Sequence, residues 1–378
     1  MLIELYIFAF AIIAYGIIIT LAIIGFHKLR LVNPIAPLHE TPTSFISIVV
    51  SSRNESLHIE EFLYEIIKQN FSRTHFEFIL VDDFSSDHTL QKATNILENS
   101  NISYKILKQK EHQGKKKSIA WAIKEAKGDI IVTTDADVVY RHQNWLLTIS
   151  NYFNLHQPNL LIMPIDFKSH SGALSAFQIT ENLALTGMTA GFAGVKKGFM
   201  CNGANLAFTK KAYEQVSGYT SHIHISSGED VFILEDIKKL NPNGIHYYFS
   251  RDLIVKTNPT LTLSSFINQR VRWASKAKSN KNQLNLLIGF ITILTNLIFL
   301  ALLVALVKNS IIWPYLLIFA LAKFVFDFLL LFLASDFLGR LKYIWWLIPF
   351  ESIYWLYALT IGVLSMFYKP YWKEQKTN

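Results

Sequence analysis

Long apolar runs stand at both ends of the chain and frame a polar central region. One run covers residues 5–26, and three more cover residues 284–307, 311–333 and 343–367. Because about 20 apolar residues make a helix long enough to cross the hydrocarbon core of a bilayer, each run predicts a membrane span. The pattern therefore predicts an N-terminal transmembrane anchor over 5–26, a C-terminal bundle of about three transmembrane or interfacial helices over 283–367, and a tail over 368–378.

The polar region alternates short runs rich in β-branched residues with longer amphipathic segments. Strands are predicted over 45–51, 76–81, 103–107 and 129–134, and helices over 57–69, 87–98 and 116–126. This alternation is typical of βαβ units that form a parallel sheet. We therefore predict an α/β, doubly wound, Rossmann-type domain over residues 42–262, with its ligand at the carboxyl ends of the strands.

Composition and charge favour a membrane protein. The chain is 51% hydrophobic and only 17% charged, against roughly 25% charged in soluble domains. Lys28 and Arg30 follow the first run, so the domain after them is predicted to be cytoplasmic and the chain a multi-pass protein of the cell membrane. A cleaved secretory signal is the alternative, but Glu4 stands where a basic leader is expected. The net charge of +8 suits anionic lipid headgroups, and we predict membrane lipids, not nucleic acid, as partners because no nucleic-acid module is recognisable.

Acidic residues end two of the predicted strands. Asp82 and Asp83 follow the second strand, and Asp135 and Asp137 follow the strand over 129–134. Carboxylates at neighbouring strand ends can face one crevice, and together with substrate phosphates they are ligands that Mg²⁺ or Mn²⁺ prefers. The pattern indicates a metal diphosphate site, with ordinary acidic turns and helix caps as the alternative.

Five segments in this order resemble the motifs of family 2 glycosyltransferases, especially the membrane-integrated branch that contains polysaccharide synthases and ceramide glucosyltransferases. The segments are ISIVVSSRNE at 46–55, VDDFSSD at 81–87, DAD at 135–137, GED at 228–230 and QRVRW at 269–273. The resemblance implies a GT-A-like domain and an interfacial helix over 263–282. It also implies inverting, metal-dependent transfer of a sugar from a nucleotide-sugar, expected to be a UDP-sugar, to a lipid or growing polysaccharide acceptor.

Two other functions compete with this expectation. A catalytically silent nucleotide-sugar-binding subunit of a cell-envelope polysaccharide assembly predicts loss of motif residues, and none is lost here. A transporter leaves the large polar region unexplained. An export or assembly protein is a further expected partner, since the short bundle favours either a lipid acceptor or a pore completed by another chain.

The resemblance also implies roles for individual residues. Ser51, Glu55, Asp82 and Asp83 would line the base and ribose pocket, and Lys115 would approach phosphate. Asp135 and Asp137 would hold the metal and the ribose. Asp230 would be the general base, with Glu229 positioning it or raising its proton affinity. Asn202 and Gly203 would belong to a loop of small residues near the acceptor. The helix face of Gln269, Arg272 and Trp273 would lie under the nucleotide, with Arg272 against the diphosphate and Trp273 against the acceptor sugar.

Several charged residues outside the motifs receive plainer predictions. Gln269, Arg272 and Trp273 share one helix face by their spacing, and we predict that Arg270, Lys276, Lys278 and Lys281 anchor this helix at the membrane interface. Lys116 and Lys117 are predicted to be solvated or lipid-facing. Lys323 and Asp327 are predicted to neutralise each other inside the bundle, with Glu351 nearby, and a polar lining for a glycan path is the alternative. Residues 343–350 are the candidate for a re-entrant or interfacial segment.

Overall fold

A computed structural model describes residues 2–32, 44–216, 228–279, 282–308, 312–368, 371–372 and 375–376. The chain divides into two units. The sheet unit comprises Leu29–Lys168 and Met200–Asn258, and the helical unit comprises Met1–Lys28, Ser169–Phe199 and Pro259–Asn378. The segment Ser169–Phe199, which lies within the predicted α/β domain, therefore groups with the apolar helices.

The described strands are short and most belong to the sheet unit. They are β1 (Ile46–Ser52), β2 (Phe76–Asp82), β3 (Ser103–Lys108), β4 (Ile130–Thr134), β5 (Val139–Tyr140), β6 (Leu160–Ile162), β7 (Ile165–Phe167), β8 (Asn205–Thr209), β9 (Ile245–Tyr247), β10 (Val255–Thr257), β11 (Tyr371–Trp372) and β12 (Gln375–Lys376).

The described helices include six in the sheet unit and the long apolar ones of the helical unit. They are α1 (Leu2–Val32), α2 (Ile59–Ile67), α3 (Thr89–Glu98), α4 (Lys115–Glu125), α5 (Trp145–His156), α6 (Ala173–Gly194), α7 (Lys210–Gln215), α8 (Glu229–Leu240), α9 (Leu263–Ser279), α10 (Gln283–Lys308), α11 (Trp313–Leu338) and α12 (Leu347–Phe367), with 3₁₀ turns at Pro242–Gly244, Arg251–Leu253 and Leu341–Trp346.

The main sheet has seven strands in the order β3-β2-β1-β4-β8-β6-β9. β1 is parallel to both β2 and β4, and β2 is parallel to β3, so the carboxyl ends of these four strands meet at one edge. The four strands and three helices predicted from the alternating pattern are confirmed, with ends that differ by one or two residues. The prediction of a parallel sheet holds only for this half, because β8 runs antiparallel to both β4 and β6. The fold is therefore a GT-A-like α/β fold with a mixed sheet.

The core of the sheet unit follows from the amphipathic helices that cover the sheet. In α2 the buried residues are Ile59, Phe62, Leu63 and Ile66, the spacing of one apolar helix face. The Phe62 ring lies 6.0 Å from that of Phe78 on β2. Each such fully buried side chain contributes about 1.5–3 kcal/mol, so packing of this face fixes the helix across the sheet and leaves the strand ends free for loops.

Among the described residues, four helices could span a membrane by length and composition, as predicted. They cover Tyr6–Leu31, Gln283–Val307, Trp313–Leu338 and Leu341–Phe367. The last begins with the 3₁₀ turn over part of the segment predicted to be re-entrant or interfacial, which stays a prediction. The predicted tail is described only at residues 368, 371–372 and 375–376.

Helix α6 packs backbone against backbone on α1. A methyl group added at Gly191 would lie 2.3 Å from the carbonyl oxygen of Ala22, and one added at Gly194 would lie 2.0 Å from that of Gly25. No side chain fits at these distances, so glycine is required here. Small residues at a crossing are the usual way in which helices approach closely without a hydrophobic driving force between them.

A buried charged cluster joins α1, α11 and α12. Lys323 Nζ lies 2.7 Å from Asp327 Oδ2, as the sequence predicts, and it also donates to Glu351 Oε1. The Tyr15 hydroxyl donates to the other oxygen of Asp327. Lys323 is 5% exposed, so the cluster replaces solvent for three charges at once.

Replacing Lys323 alone tests the balance of this cluster. Lys323→Met leaves two buried carboxylates without their cation, and we expect the free energy of unfolding to fall by about 3–5 kcal/mol. The triple change Lys323→Met, Asp327→Leu and Glu351→Gln removes all the charges, and it should cost no more than about 1 kcal/mol. Thermal unfolding of the purified protein in detergent measures both, and equal losses in the two variants would contradict the account.

Candidate active site

The loops that follow β1 and β2 are bonded to each other at the carboxyl edge of the sheet. The Asn54 N–H donates to Ser85 Oγ at 3.1 Å, and the Ser86 N–H donates to Asn54 Oδ1 at 2.9 Å. The Glu55 N–H donates to Thr89 Oγ1 at 2.7 Å. Asn54 has a φ of 52°, a conformation that asparagine tolerates better than most residues. These bonds tie the loop after β1 to the loop after β2, and Ser51 stands one residue before the end of β1.

Asp87 completes the link between the two loops. Its carboxylate accepts hydrogen bonds from the Ser56 N–H at 3.1 Å and from the Thr89 N–H at 3.0 Å, and it also accepts from the Thr89 hydroxyl. Partial burial alone would raise the pKa of Asp87, but the hydrogen bonds from Thr89 and Ser56 outweigh it and lower the pKa from 3.8 to about 2. Asp87 therefore has a structural role, because its carboxylate joins the two loops through hydrogen bonds.

The two acids of the VDD segment have different surroundings. Asp83 accepts hydrogen bonds from the backbone N–H groups of Gln113 at 2.8 Å and Gly114 at 3.0 Å, and so fixes the loop that enters α4. Asp82 is 1% exposed; its Oδ2 accepts from the Ser85 N–H at 3.3 Å. Asp82 Oδ1 is buried with no hydrogen-bond partner in the described part of the chain. A buried oxygen without a partner is costly, so this atom is suited to accept from a ligand.

The DAD segment leaves the sheet directly after β4. Lys115 Nζ, on the first turn of α4, lies 2.5 Å from Asp135 Oδ1. Asp137 Oδ2 accepts a hydrogen bond from Thr257 Oγ1 at 3.3 Å. Burial, followed by the negative charges of Asp135 and Glu55, raises the pKa of Asp137 to about 6. The carboxylates of Asp135, Asp137 and Glu55 are therefore close enough to repel one another.

The donor set at this edge fits a hard divalent cation that shares its ligands with substrate. Among the described residues, no group of three or more His, Cys, Asp or Glu side chains is arranged to hold an ion by itself. Mg²⁺ in phosphate-transfer sites typically takes one or two carboxylates and completes its shell with phosphate oxygens and water. Asp135 and Asp137 supply that number, and the raised pKa of Asp137 is the mark of a carboxylate that a cation would stabilise.

The antiparallel strand β8 brings a second loop to the same edge. Asn205 at its start pairs with Thr134 at the end of β4. Residues 202–204, which precede Asn205, therefore lie near the start of the DAD segment, which follows Thr134. The Gly203 N–H donates to Asp230 Oδ2 at 3.1 Å, and the Val231 N–H donates to Oδ1 at 2.9 Å. Asp230 is 8% exposed. The structure therefore gathers Asp230, Gly203 and the DAD carboxylates at one end of the sheet.

Other predicted residues of the sheet unit divide between support and exposure. The Asn202 side chain is exposed and caps its own turn through the Ala204 N–H at 3.0 Å. Glu55 Oε2 lies 3.2 Å from His58 Nδ1. Glu229 begins α8, but its side chain lies outside the described set.

One of the two lysines after Lys115 is not solvated. Lys117 is exposed, as predicted, but Lys116 is 4% exposed and its Nζ lies 5.1 Å from the centroid of the Phe232 ring. The prediction for Lys116 was wrong because α4 packs its first turn toward α8, two residues beyond Asp230, a contact that charge pattern alone does not reveal. The buried cation adds positive potential near the edge.

Two residues that the motifs omit support the edge. Asn205 is fully buried, donates to the carbonyl groups of Pro164 at 2.7 Å and Leu253 at 2.8 Å, and accepts from Trp145 Nε1 at 3.1 Å. Thr257 holds Asp137. An asparagine in an apolar strand is unfavourable for a strand and was a usable signal. No spacing rule points to Thr257.

The QRVRW segment lies on α9 in the helical unit. Gln269, Arg272 and Trp273 are half-buried there. Arg270 is 3% exposed and its Nη2 lies 2.5 Å from Glu181 Oε2 on α6, so its prediction as an interface anchor was wrong: a buried partner outcompetes the headgroup region. The side chains of Lys276, Lys278 and Lys281 lie outside the described residues.

Comparison with known proteins agrees with this architecture. Residues 47–217 match the family model described as Glycosyl transferase family 2. One relative is poly(ribitol-phosphate) beta-N-acetylglucosaminyltransferase TarS of Staphylococcus aureus. The aligned region is 29% identical and covers 31% of this chain and 20% of TarS. The chain is 26% identical over 61% of its length to 53% of poly-beta-1,6-N-acetyl-D-glucosamine synthase of the same species. The chain thus spans about half or less of the length of these curated relatives.

A solved structure shares the fold over nearly the whole chain. It is the mannosyltransferase PcManGT from Pyrobaculum calidifontis in complex with GDP-Man and Mn²⁺, with a TM-score of 0.55 and 15% identity over 96% of this chain and 99% of that one. This likeness shows the fold, which is GT-A-like, and the match to the family 2 glycosyltransferase model concerns residues 47–217.

Replacing Asp87 tests whether its hydrogen bonds stabilise the contact between the loops that follow β1 and β2. Asp87→Asn weakens the hydrogen bonds from Ser56 and Thr89, and we expect a loss of about 1 kcal/mol in the free energy of unfolding at pH 7. Because the folded pKa is depressed, the stabilisation is present above about pH 4 and disappears as the pH falls toward 2. Urea unfolding from pH 7 downward checks this, with Glu98→Gln on α3 as an exposed control. A difference between wild type and Asp87→Asn that does not shrink below pH 4 would refute it.

Proposed function

We propose that this protein is an inverting, metal-dependent glycosyltransferase that moves a sugar from a nucleotide-sugar to a membrane-associated lipid or growing polysaccharide. The observation that carries the proposal is the placement of Asp230. Its buried carboxylate is held by the Gly203 N–H next to the strand end from which Asp135 and Asp137 emerge. A base and a diphosphate site then share one edge of the sheet.

In this proposal the nucleotide-sugar donor binds between the loops that follow β1 and β2. Asp82 offers a buried oxygen without a partner in the described part of the chain, Ser51 lies near the end of the neighbouring strand β1, and Glu55 lies in the loop that follows β1. Such groups accept hydrogen bonds from a base or a ribose, which supports a nucleotide there. UDP is the expected nucleotide, and the names of two curated relatives make N-acetylglucosamine the first sugar to test.

In this proposal the diphosphate binds beside the DAD segment, at the carboxyl end of β4. Asp135 and Asp137 would hold Mg²⁺ or Mn²⁺, and the bound ion would neutralise negative charge on the leaving diphosphate. Lys115 contributes a second positive charge at the same place, since it lies 2.5 Å from Asp135. The excess negative charge that raises the pKa of Asp137 supports a cation at this position.

Transfer then follows by direct displacement. Asp230 accepts the proton of the acceptor hydroxyl while that oxygen bonds to the anomeric carbon, and the bond from this carbon to the diphosphate breaks with its electron pair leaving on phosphate. One base suffices for a single displacement, which inverts the anomeric centre. The N–H groups of Gly203 and Val231 orient the carboxylate for this step, and Glu229 adjoins it at the start of α8.

The helical unit supplies the membrane side of the reaction. Its four described apolar helices support a multi-pass protein of the cell membrane, and Lys28 and Arg30 near the C-terminal end of α1 support a cytoplasmic catalytic domain. For Gln269, Arg272 and Trp273 the proposal keeps the roles toward diphosphate and acceptor that the resemblance to family 2 glycosyltransferases implies, and it likewise assigns Asn202 and Gly203 to acceptor binding. Membrane lipids and an export or assembly protein complete the expected partners.

A transfer assay tests the proposal with matched variants. Membranes with the full chain receive a panel of labelled UDP- and GDP-sugars with Mg²⁺ or Mn²⁺, and organic-soluble and polymeric products are counted. Asp230→Asn should lower the rate by about 10²–10⁴-fold, which is the usual contribution of general-base catalysis. Asp137→Asn should abolish dependence on the metal together with most of the activity. Asp236→Asn, on the same helix, should leave the rate unchanged.

The outcomes separate the candidate functions. Metal-dependent transfer that needs Asp230, with an inverted anomeric configuration in the product by NMR, supports the enzyme. Binding of a nucleotide-sugar without transfer from any donor would support the silent subunit. A retained configuration, or full activity in Asp230→Asn, would contradict the mechanism even if transfer occurs.

A further inference from the structure

Arg270 stands at a position of the QRVRW segment to which the motif assigns no role, yet it is more deeply buried than Arg272, the other charged residue of α9 whose side chain the structure describes. Its side chain is 2% exposed. Taking a guanidinium out of water is unfavourable unless its donors are satisfied and its charge is paired. The contacts that satisfy it therefore indicate what the residue does.

The carboxylate of Glu181 is the centre of these contacts. Arg270 Nε and Nη2 both donate to Glu181 Oε2, at 2.8 Å and 2.5 Å. The Tyr357 hydroxyl donates to the other carboxylate oxygen, Oε1. Three donors from two helices thus converge on one residue of a third helix. The result is a buried bridge that ties α9 to α6 and α12.

The third guanidinium nitrogen of Arg270 is directed to its own helix. Nη1 donates to the side-chain oxygen of Gln269. The guanidinium carbon also lies 4.4 Å from the centroid of the Trp273 ring and 4.5 Å from that of Phe266. Arg270 therefore contacts two of the three motif side chains directly, while Glu181 determines where the guanidinium lies.

We propose that Glu181 and Arg270 are positioning residues, which orient Gln269 and Trp273 through a buried ion pair without contacting the substrates themselves. The geometry of the guanidinium supports this role, since its planar fork can meet a carboxylate with one edge, an amide with another and an aromatic ring with its face. A lysine could satisfy only part of this set. The consequence for catalysis rests on the role of Gln269 and Trp273 in the proposed function.

Two measurements on the full chain in nanodiscs test the proposal. The first is ¹⁹F NMR after incorporation of 5-fluorotryptophan, in which the chain's eight tryptophans give separate signals and Trp273→Phe identifies the one of interest. We expect Glu181→Gln and Arg270→Met to shift or broaden the Trp273 signal, because the cation on its ring moves away. The triple change Lys323→Met, Asp327→Leu and Glu351→Gln is the control, since it removes another buried charged cluster of the same unit.

The second measurement is the steady-state rate of transfer, taken well below the unfolding temperature of each variant. Because a misplacement of about 1 Å can cost about 10²-fold, Glu181→Gln should lower kcat by ~10–100-fold. The KM for the donor, which the sheet unit binds, should stay within about threefold. Arg270→Lys, which keeps the charge and is the milder change if Arg270→Met fails to fold, should regain only part of kcat.

The results that overturn the proposal are distinct from failure of the proposed function. An unchanged Trp273 signal in folded Glu181→Gln contradicts positioning whatever the activity. Rates per folded molecule equal to wild type, with loss only of thermal stability, would reduce the pair to a structural role and also overturn it. If wild type transfers no sugar, the proposed function fails, and the NMR comparison still decides whether Glu181 and Arg270 orient Trp273.

Discussion

The antiparallel pairing of β8 with β4 is the constraint on which the site depends. A parallel strand would enter this position from the far edge of the sheet and would carry its preceding loop away from the carboxyl ends. Because Asn205 faces Thr134, the loop before β8 arrives where the DAD segment departs, and its Gly203 N–H can hold Asp230. A buried asparagine with three hydrogen bonds fixes the start of that strand, so strand pairing determines where the proposed base and the proposed diphosphate site lie.

Charge balance governs the rest of the edge. Asp135, Asp137 and Glu55 stand close enough for burial and mutual repulsion to raise the pKa of Asp137 to about 6, while Lys115 and Lys116 on α4 return positive charge to the same region. A site with this imbalance favours a cation and an anionic ligand that arrive together, because each offsets the cost that the other would meet alone. The helical unit uses a different solution, in which buried carboxylates are paired with Arg270 and Lys323 of the same chain.

The pattern of apolar and polar residues predicted those helices and strands whose buried faces are defined by their own sequence. The alternation of apolar runs predicted β1 to β4 and the helices between them, since each of these elements buries a face that its own sequence defines. The long apolar runs predicted four helices that could span a membrane for the same reason. The direction of β8, the burial of Lys116 and the Glu181–Arg270 pair were not predicted, because they arise from contacts between segments far apart in sequence. The motif order carried the remaining inference, and most residues it named in the sheet unit meet at one edge.

We propose that the carboxyl edge of the sheet binds a nucleoside diphosphate and a divalent cation together. This binding can be tested with a structure of the full chain determined with UDP and Mn²⁺, in which anomalous scattering locates the metal. We expect the base beside Asp82, between the loops that follow β1 and β2, and a manganese peak at Asp137 in contact with the diphosphate. Nucleotide bound away from these loops, or manganese bound without contact to Asp135 or Asp137, would contradict it.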